Sequence, residues 1–461
     1  MTLRKMPLLD AASLQLEGKK MPMHIAALMT FSYPASLTDH ERKTFVSGLV
    51  ARWREETRVV YPWNQVLTRP TRWQLRPTTR EVYDLDLEYH LRQWSLPAPG
   101  GEKELGHMIA WIHELPMDLE KPLWECHFIE GLSENRFALY VNIHHALVDG
   151  ISGTRLVVGS LSTDADSLSA PMWAKAQAQA EAGTGEVKEP ERGALPRLAD
   201  LKAGAAASLK LRTKNETLTT FRSTPETILN GPIGSHRRVA TQHFELARLK
   251  TLAKTTGATV NDVVMAIVGG ALREYLIEAN ALPEDSLTAA LPVSTRKPGD
   301  VSIGNQVSLL FGSLGTNIAD PALRLEHVKR STQAGKAMLN GLPAHAVNVY
   351  SLLSTGPFLS SVVLGLGRTG RQLFNTTVSN VPGQREARYL DGAELLHVYP
   401  VSLIMPGIPL NFTCVSQGDF LNFGMVACRD RVPHVQRLAG LMAEALAELE
   451  KNLLQRGERS S

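Results

Sequence analysis

The strongest constraint on this 461-residue chain is a break in its composition. From about residue 163 to 235, Ala, Glu, Lys and Thr dominate, as in AKAQAQAEAGTGEVKEPERGALPRLADLKAGAAASLKLRTKNE. Such a stretch cannot bury enough apolar surface to build a core of its own. It predicts a long crossover linker, helical around Pro196–Leu211, with a mobile centre near Gly183–Gly193. The chain is thereby divided into a first half (1–162) and a second half (236–461), each long enough for a domain core. Hydrophobic residues make up 43% of the whole, which excludes global disorder.

Both halves mix helical and strand periodicities, so the fold class is α/β (α+β). In the first half, Glu102–Glu114 reads as a helix, Asp84–His90 as a short extended stretch, and Leu123–Glu130 and Arg136–Ile143 as strands. In the second, Arg238–Phe244 reads as the opening strand. A helix starts at Thr259, which can cap with Asp262 three residues on. The last helix starts after Pro433, with Val435, Leu438, Met442, Leu446, Leu449 and Leu453 on one face.

Net charge is +3, from 49 basic and 46 acidic residues. That balance does not fit a protein holding nucleic acid by phosphate neutralisation. Cys126, Cys414 and Cys428 are too scattered for a disulfide framework or a zinc knuckle, and fit a reducing compartment. Met1–Leu9 lacks a signal-peptide core, and no stretch is apolar enough for a spanning helix. Ala337–Gly367 carries no Lys, Arg, Asp or Glu, yet Gly341, Pro343, Gly356, Pro357, Gly365 and Gly367 interrupt it. It reads as segments lining a long apolar cavity or touching lipid, and Leu353 and Leu359 are its trial positions.

The sharpest local feature is FALYVNIHHALVDGISG, residues 137–153. A strand-like run ends at His144-His145; Asp149-Gly150 and a helix-like pattern from Ser152 to Leu161 follow. Adjacent side chains on extended backbone face opposite ways, so one imidazole can enter a cleft while its neighbour packs behind. Histidine exchanges protons near neutral pH, which suits a general base. Asp149 can brace the loop, and Gly150 permits a turn that a Cβ would hinder. The other readings are a pair of packed core imidazoles, or a metal site, for which no companion motif is seen. G-x-S-x-G is absent, so a serine-hydrolase elbow is unsupported.

H-H-x-x-x-D-G, here His144, His145, Asp149 and Gly150, resembles the signature of the CoA-dependent acyltransferase superfamily, which includes chloramphenicol acetyltransferase and peptide-synthetase condensation domains. The rest of the chain is similar to one branch, the bacterial wax ester synthase/diacylglycerol acyltransferases. The likeness runs through LDAASLQLEGKKMPMHIAALMTF (9–31), Pro122-Leu123-Trp124, Asn261-Asp262, PVSTR (292–296), GNQVS (304–308), NTTVSNVPG (375–383), YPVSLI (399–404) and LNFGMVACRD (421–430). The D-F-G-W-G motif of plant relatives is absent; Asn422-Phe423-Gly424 stands in its place.

The resemblance implies two chloramphenicol-acetyltransferase-like halves with an active-site tunnel between them. It implies His145 as general base, His144 as support, and Asp149 as a structural residue with Arg296 as candidate partner. Acyl-CoA would be the acyl donor and a fatty alcohol or diacylglycerol the acceptor, with no metal or other cofactor. Asn261 and Asp262 either cap their helix or stand near the acyl carbonyl. Pro122, Leu123 and Trp124 either pack or touch substrate, and Ser379 or Asn380, in a tight loop at 379–383, could supply an oxyanion donor. The implied location is cytoplasmic, peripheral to the inner membrane or lipid inclusions. The competing readings are an acyltransferase for a secondary-metabolite alcohol and a non-catalytic lipid-binding or droplet-coating protein.

Overall fold

The computed structural model describes residues 3–69, 71, 74, 77–148, 150–175, 198–211, 219, 224–294, 307–363 and 373–460. Two six-stranded sheets organise it. In the first, the strand order is Tyr389–Leu390, Ala393–Val401, His24–Ser32, Arg136–His144, Trp124–Leu132, Leu91–Ser95. In the second it is Val307–Ser313, Thr288–Ser294, Thr376–Val381, Leu410–Gln417, Phe420–Cys428, Arg237–Glu245. A small third sheet joins Leu3–Lys5, Thr78–Glu81 and Gln65–Leu67.

Division by sheet differs from division by chain segment. Ala393–Val401 lies in the 236–461 segment, yet pairs antiparallel with His24–Ser32 in the first sheet. The two sheets touch where this strand crosses Phe420–Cys428. A Cβ on Gly424 would lie 1.7 Å from the Pro400 carbonyl oxygen, so only glycine lets the backbones approach.

Local patterning accounts for most elements. Helix Glu102–His113 buries Leu105, Ile109 and Ile112 on one side. Helix Val260–Glu278 is capped by Thr259, whose side chain accepts from the Asp262 N–H while Asp262 reaches back to the Thr259 N–H. It is buried on nearly every face, from Val263 to Leu276, beneath the C-terminal helix Val435–Ser460. That last helix turns Val435, Leu438, Met442, Leu446 and Leu449 into the same core.

Three local expectations change. Leu87–His90 is a single helical turn capped by the Asp86 side chain, and the extended segment follows it as Leu91–Ser95. Residues 379–381 end the strand Thr376–Val381 rather than forming a tight loop. The charge-free region is less broken than its composition implies: helix Ala344–Val363 runs through Gly356 and Pro357. In the linker, Leu198–Lys210 is helical, whereas Gly183–Gly193 lies outside the described residues. Among the described residues, no single helix is long and apolar enough to cross a membrane.

Candidate active site

Strand Arg136–His144 delivers the histidine pair. Its neighbour is His24–Ser32, and His24 sits directly opposite His144 in the register. His144 is fully buried and tied on every polar atom. Its N–H donates to the Leu123 carbonyl at 2.9 Å, and its carbonyl accepts from Leu147 at 2.9 Å. Its Nδ1 accepts the Ala146 N–H at 3.0 Å, so the ring proton sits on Nε2 and points to Glu17 Oε2 at 3.3 Å.

His145 opens the turn after the strand and is only half-buried. Its N–H donates to the Met23 carbonyl at 2.7 Å. The Met23 N–H in turn donates to Glu17 Oε2 at 2.5 Å. One buried carboxylate therefore holds the ring of His144 directly and the backbone of His145 through Met23. Glu17 caps the end of helix Leu8–Leu16 and was not a sequence-derived candidate. The signal available was an isolated acid in LQLEGKK, too common a pattern to single out.

Behind His24 runs a second buried chain. The His24 Nε2–H donates to the His113 carbonyl at 2.8 Å. The His113 Nε2–H donates to the Ser402 carbonyl at 3.0 Å, and the Tyr140 hydroxyl donates to His113 Nδ1 at 2.7 Å. Burial pushes His24 down to about 4 and His113 well below the usual imidazole range. Both rings are thus neutral and structural at neutral pH. The loop is also tied to the second half: Arg237, 3% exposed, donates to the Lys20 carbonyl at 2.6 Å and to the Gly234 carbonyl at 2.8 Å.

The remaining candidates separate clearly. Leu123 is buried and lends its carbonyl to His144, while buried Pro122 accepts from the Trp124 N–H. Trp124 is fully buried, stacks on His90 at 4.3 Å and donates from its indole to the Trp63 carbonyl at 2.8 Å. This is core packing, one residue after the loop contact made by Leu123. Asp262 spends Oδ2 on its cap and accepts from the Thr332 hydroxyl through Oδ1 at 2.6 Å. Among the described residues, its hydrogen bonds run to Thr259 and Thr332 and not to the histidine loop; Asn261, beside it, is half-buried.

Ser379 is half-buried and Asn380 exposed on their strand. The strand's last residue, Val381, is buried in the same core cluster as Ile143 and Val148, which flank the histidine pair in sequence. The following turn demands Gly383, whose Cβ would meet the Ser416 carbonyl oxygen at 1.7 Å. Gly150 opens helix Gly150–Ser160, and a Cβ there would meet only Ile25 at 3.9 Å. The turn requirement expected of it is therefore not found; the tighter position is Gly153, 3.2 Å from Val148. Leu353, expected to line an alkyl cavity, is 39% exposed. Asp149, Arg296 and the side chain of Leu359 lie outside the described residues. Among the described residues, no group of His, Cys, Asp or Glu is placed to hold a metal ion.

Residues 6–264 match the wax ester synthase/diacylglycerol acyltransferase catalytic domain, and 303–450 the WS/DGAT C-terminal domain. The chain belongs to the wax ester synthase/diacylglycerol acyltransferase family. O-acyltransferase WSD of Acinetobacter baylyi is 35% identical, with 96% of each chain covered. The solved wax ester synthase/diacylglycerol acyltransferase of Marinobacter aquaeolei VT8 superposes with a TM-score of 0.79 at 33% identity, covering 97% of this chain and 99% of that one. The first condensation domain of the calcium-dependent antibiotic synthetase shares the fold alone, at 16% identity and a TM-score of 0.58, with 98% and 96% covered. The protein is thus an O-acyltransferase of the wax ester synthase/diacylglycerol acyltransferase family with the two-half architecture of chloramphenicol acetyltransferase, and the family's acyl donor is acyl-CoA.

Proposed function

We propose that His145 is the general base of a direct acyl transfer from a long-chain acyl-CoA to a fatty alcohol or diacylglycerol. The imidazole takes the hydroxyl proton as the oxygen attacks the thioester carbonyl. It then returns that proton to the leaving CoA thiolate. The bound alcohol is itself the nucleophile, so no acyl-enzyme is needed. Asp149 braces the loop and Arg296 is its proposed partner.

The observation that carries this division of labour is the complete engagement of His144. Its Nδ1 accepts from Ala146 and its Nε2–H faces Glu17, so neither nitrogen is available to a hydroxyl. His145 is the half-buried member of the pair. The acceptor and the neutral-lipid product are poorly soluble in water, which supports work at the cytoplasmic face of a membrane or at a lipid inclusion.

The test supplies purified protein with palmitoyl-CoA and either hexadecanol or dipalmitoylglycerol, and follows free CoA. Release dependent on either acceptor is expected. No release with either refutes the lipid acceptors and favours a secondary-metabolite alcohol or a binding role.

A further inference from the structure

Helices Leu198–Lys210 and Ala344–Val363 pack together, so closely that a Cβ on Gly204 would lie 2.6 Å from Val349 Cβ. Their inner sides join one core: Ala207, Leu211 and Tyr350 pack with Phe311, Phe374 and Ile408. Their outer sides are apolar as well. On the first helix, Leu198, Leu201, Ala205 and Leu209 recur at steps of three and four, and all are exposed. Leu198 is 69%, Leu209 61% and, on the second helix, Leu352 69% exposed. With Leu201 and Leu353, five large apolar side chains stand out on two packed helices.

The exposed Lys, Arg, Asp and Glu side chains described on these two helices have one sign. Lys202 and Lys210 are exposed on the first helix, while its single acid, Asp200, is turned inward at 9% exposure. The second helix has no Asp, Glu, Lys or Arg. Leucines edged by lysines, with no exposed carboxylate on either helix, complement an anionic lipid surface; acidic or mixed edges would suit a soluble protein partner better. The place in the fold agrees. Helix Ala344–Val363 packs against helix Leu8–Leu16, which ends at Glu17, the residue holding His144.

We infer that this two-helix face is the surface by which the enzyme docks on anionic lipid, beside the wall of its own active site. The inference rests on the reading that the acceptor is a membrane lipid. Docking there keeps the acyl acceptor in its own phase while acyl-CoA arrives from water.

The test is co-flotation of the full chain with phosphatidylcholine vesicles, with and without phosphatidylglycerol. Wild type is expected to float with both and more strongly with phosphatidylglycerol. The exposed pair Leu201→Glu/Leu352→Glu should weaken flotation by tenfold or more on both, since each leucine withdrawn from lipid forfeits its burial. Lys202→Gln should weaken it about fivefold on the anionic vesicles alone. All variants should release CoA from decanoyl-CoA with a water-soluble short alcohol at the wild-type rate, which keeps the chemistry separate from docking.

Wild-type flotation by the double-Glu variant overturns the inference. So does a wild type that turns over soluble substrates yet floats with neither vesicle. A wild type that is dimeric in solution and made monomeric by the double-Glu change also overturns it, because the face then belongs to a second copy. Loss of CoA release by wild type itself would instead strike the acyl-transfer reading.

Discussion

Replacing Glu17 tests the idea that one carboxylate positions both histidines. Glu17 is 7% exposed, and its Oε2 receives the Met23 N–H and the His144 Nε2–H. Glu17→Ala leaves both donors buried without that acceptor, at about 1–3 kcal/mol each. The sum, about 2–6 kcal/mol, corresponds to a Tm lowered by about 2–6 °C for a chain whose unfolding entropy is about 1 kcal/mol/K. Activity should fall further than stability alone explains, because the Met23 carbonyl that holds the His145 N–H loses its own anchor. A loss of about 1.4 kcal/mol in transition-state positioning is about tenfold in kcat, with KM for acyl-CoA little changed. Glu17→Gln keeps the shape and one acceptor oxygen and forfeits only the charge-assisted share of the bonds, about 1 kcal/mol. Thermal melts and CoA-release kinetics on the three proteins decide it. Glu17→Ala melting and turning over like wild type, or Glu17→Gln worse than Glu17→Ala, would refute the positioning role.

His145→Ala should cost about 10²–10⁴ in kcat with the fold retained, whereas His144→Ala should lower Tm along with a smaller loss of rate; equal, small losses at both would contradict the assignment. His24 is held neutral by burial, with its imidazole at about 4 against 6.5 when unfolded. The unfolded chain therefore binds the extra proton first: stability is whole above pH 6.5 and declines toward pH 4, by up to about 3 kcal/mol. His24→Asn should flatten that part of the Tm–pH curve. Gly424→Ala should yield little soluble protein, since its methyl collides with the Pro400 carbonyl where the sheets meet. Leu353→Phe and Leu353→Ala should leave product ratios among decanol, dodecanol and hexadecanol unchanged, because that side chain faces outward.

What could be read along the chain was whatever a few neighbouring residues decide. Thr259 and Asp262 form their capping box within one turn. The leucine stripe after Pro433 needs only the 3.6-residue period to share a face. The apolar run ahead of the histidine pair is a strand because its residues suit extended backbone; it closes at His144, and His145 opens the turn that follows. The family motifs, being strings of residues, carried the function with them.

Tertiary structure decided everything that depends on which distant surface a segment meets. Alternation marks Ala393–Val401 as a strand but is silent on its partner, and it crosses into the first sheet because His24–Ser32 offers a free edge there. Asn261-Asp262 resembles site residues in sequence, yet Asp262 serves its cap and Thr332, a bond that closes only when two helices pack. Glu17 acquires its role from a residue 127 positions away. The charge-free helix is exposed at Leu352 and Leu353 because Tyr350 turns inward against neighbours supplied by other parts of the chain. Hydrophobic period sets which residues go together; only packing chooses what covers them, or leaves them to face a lipid surface.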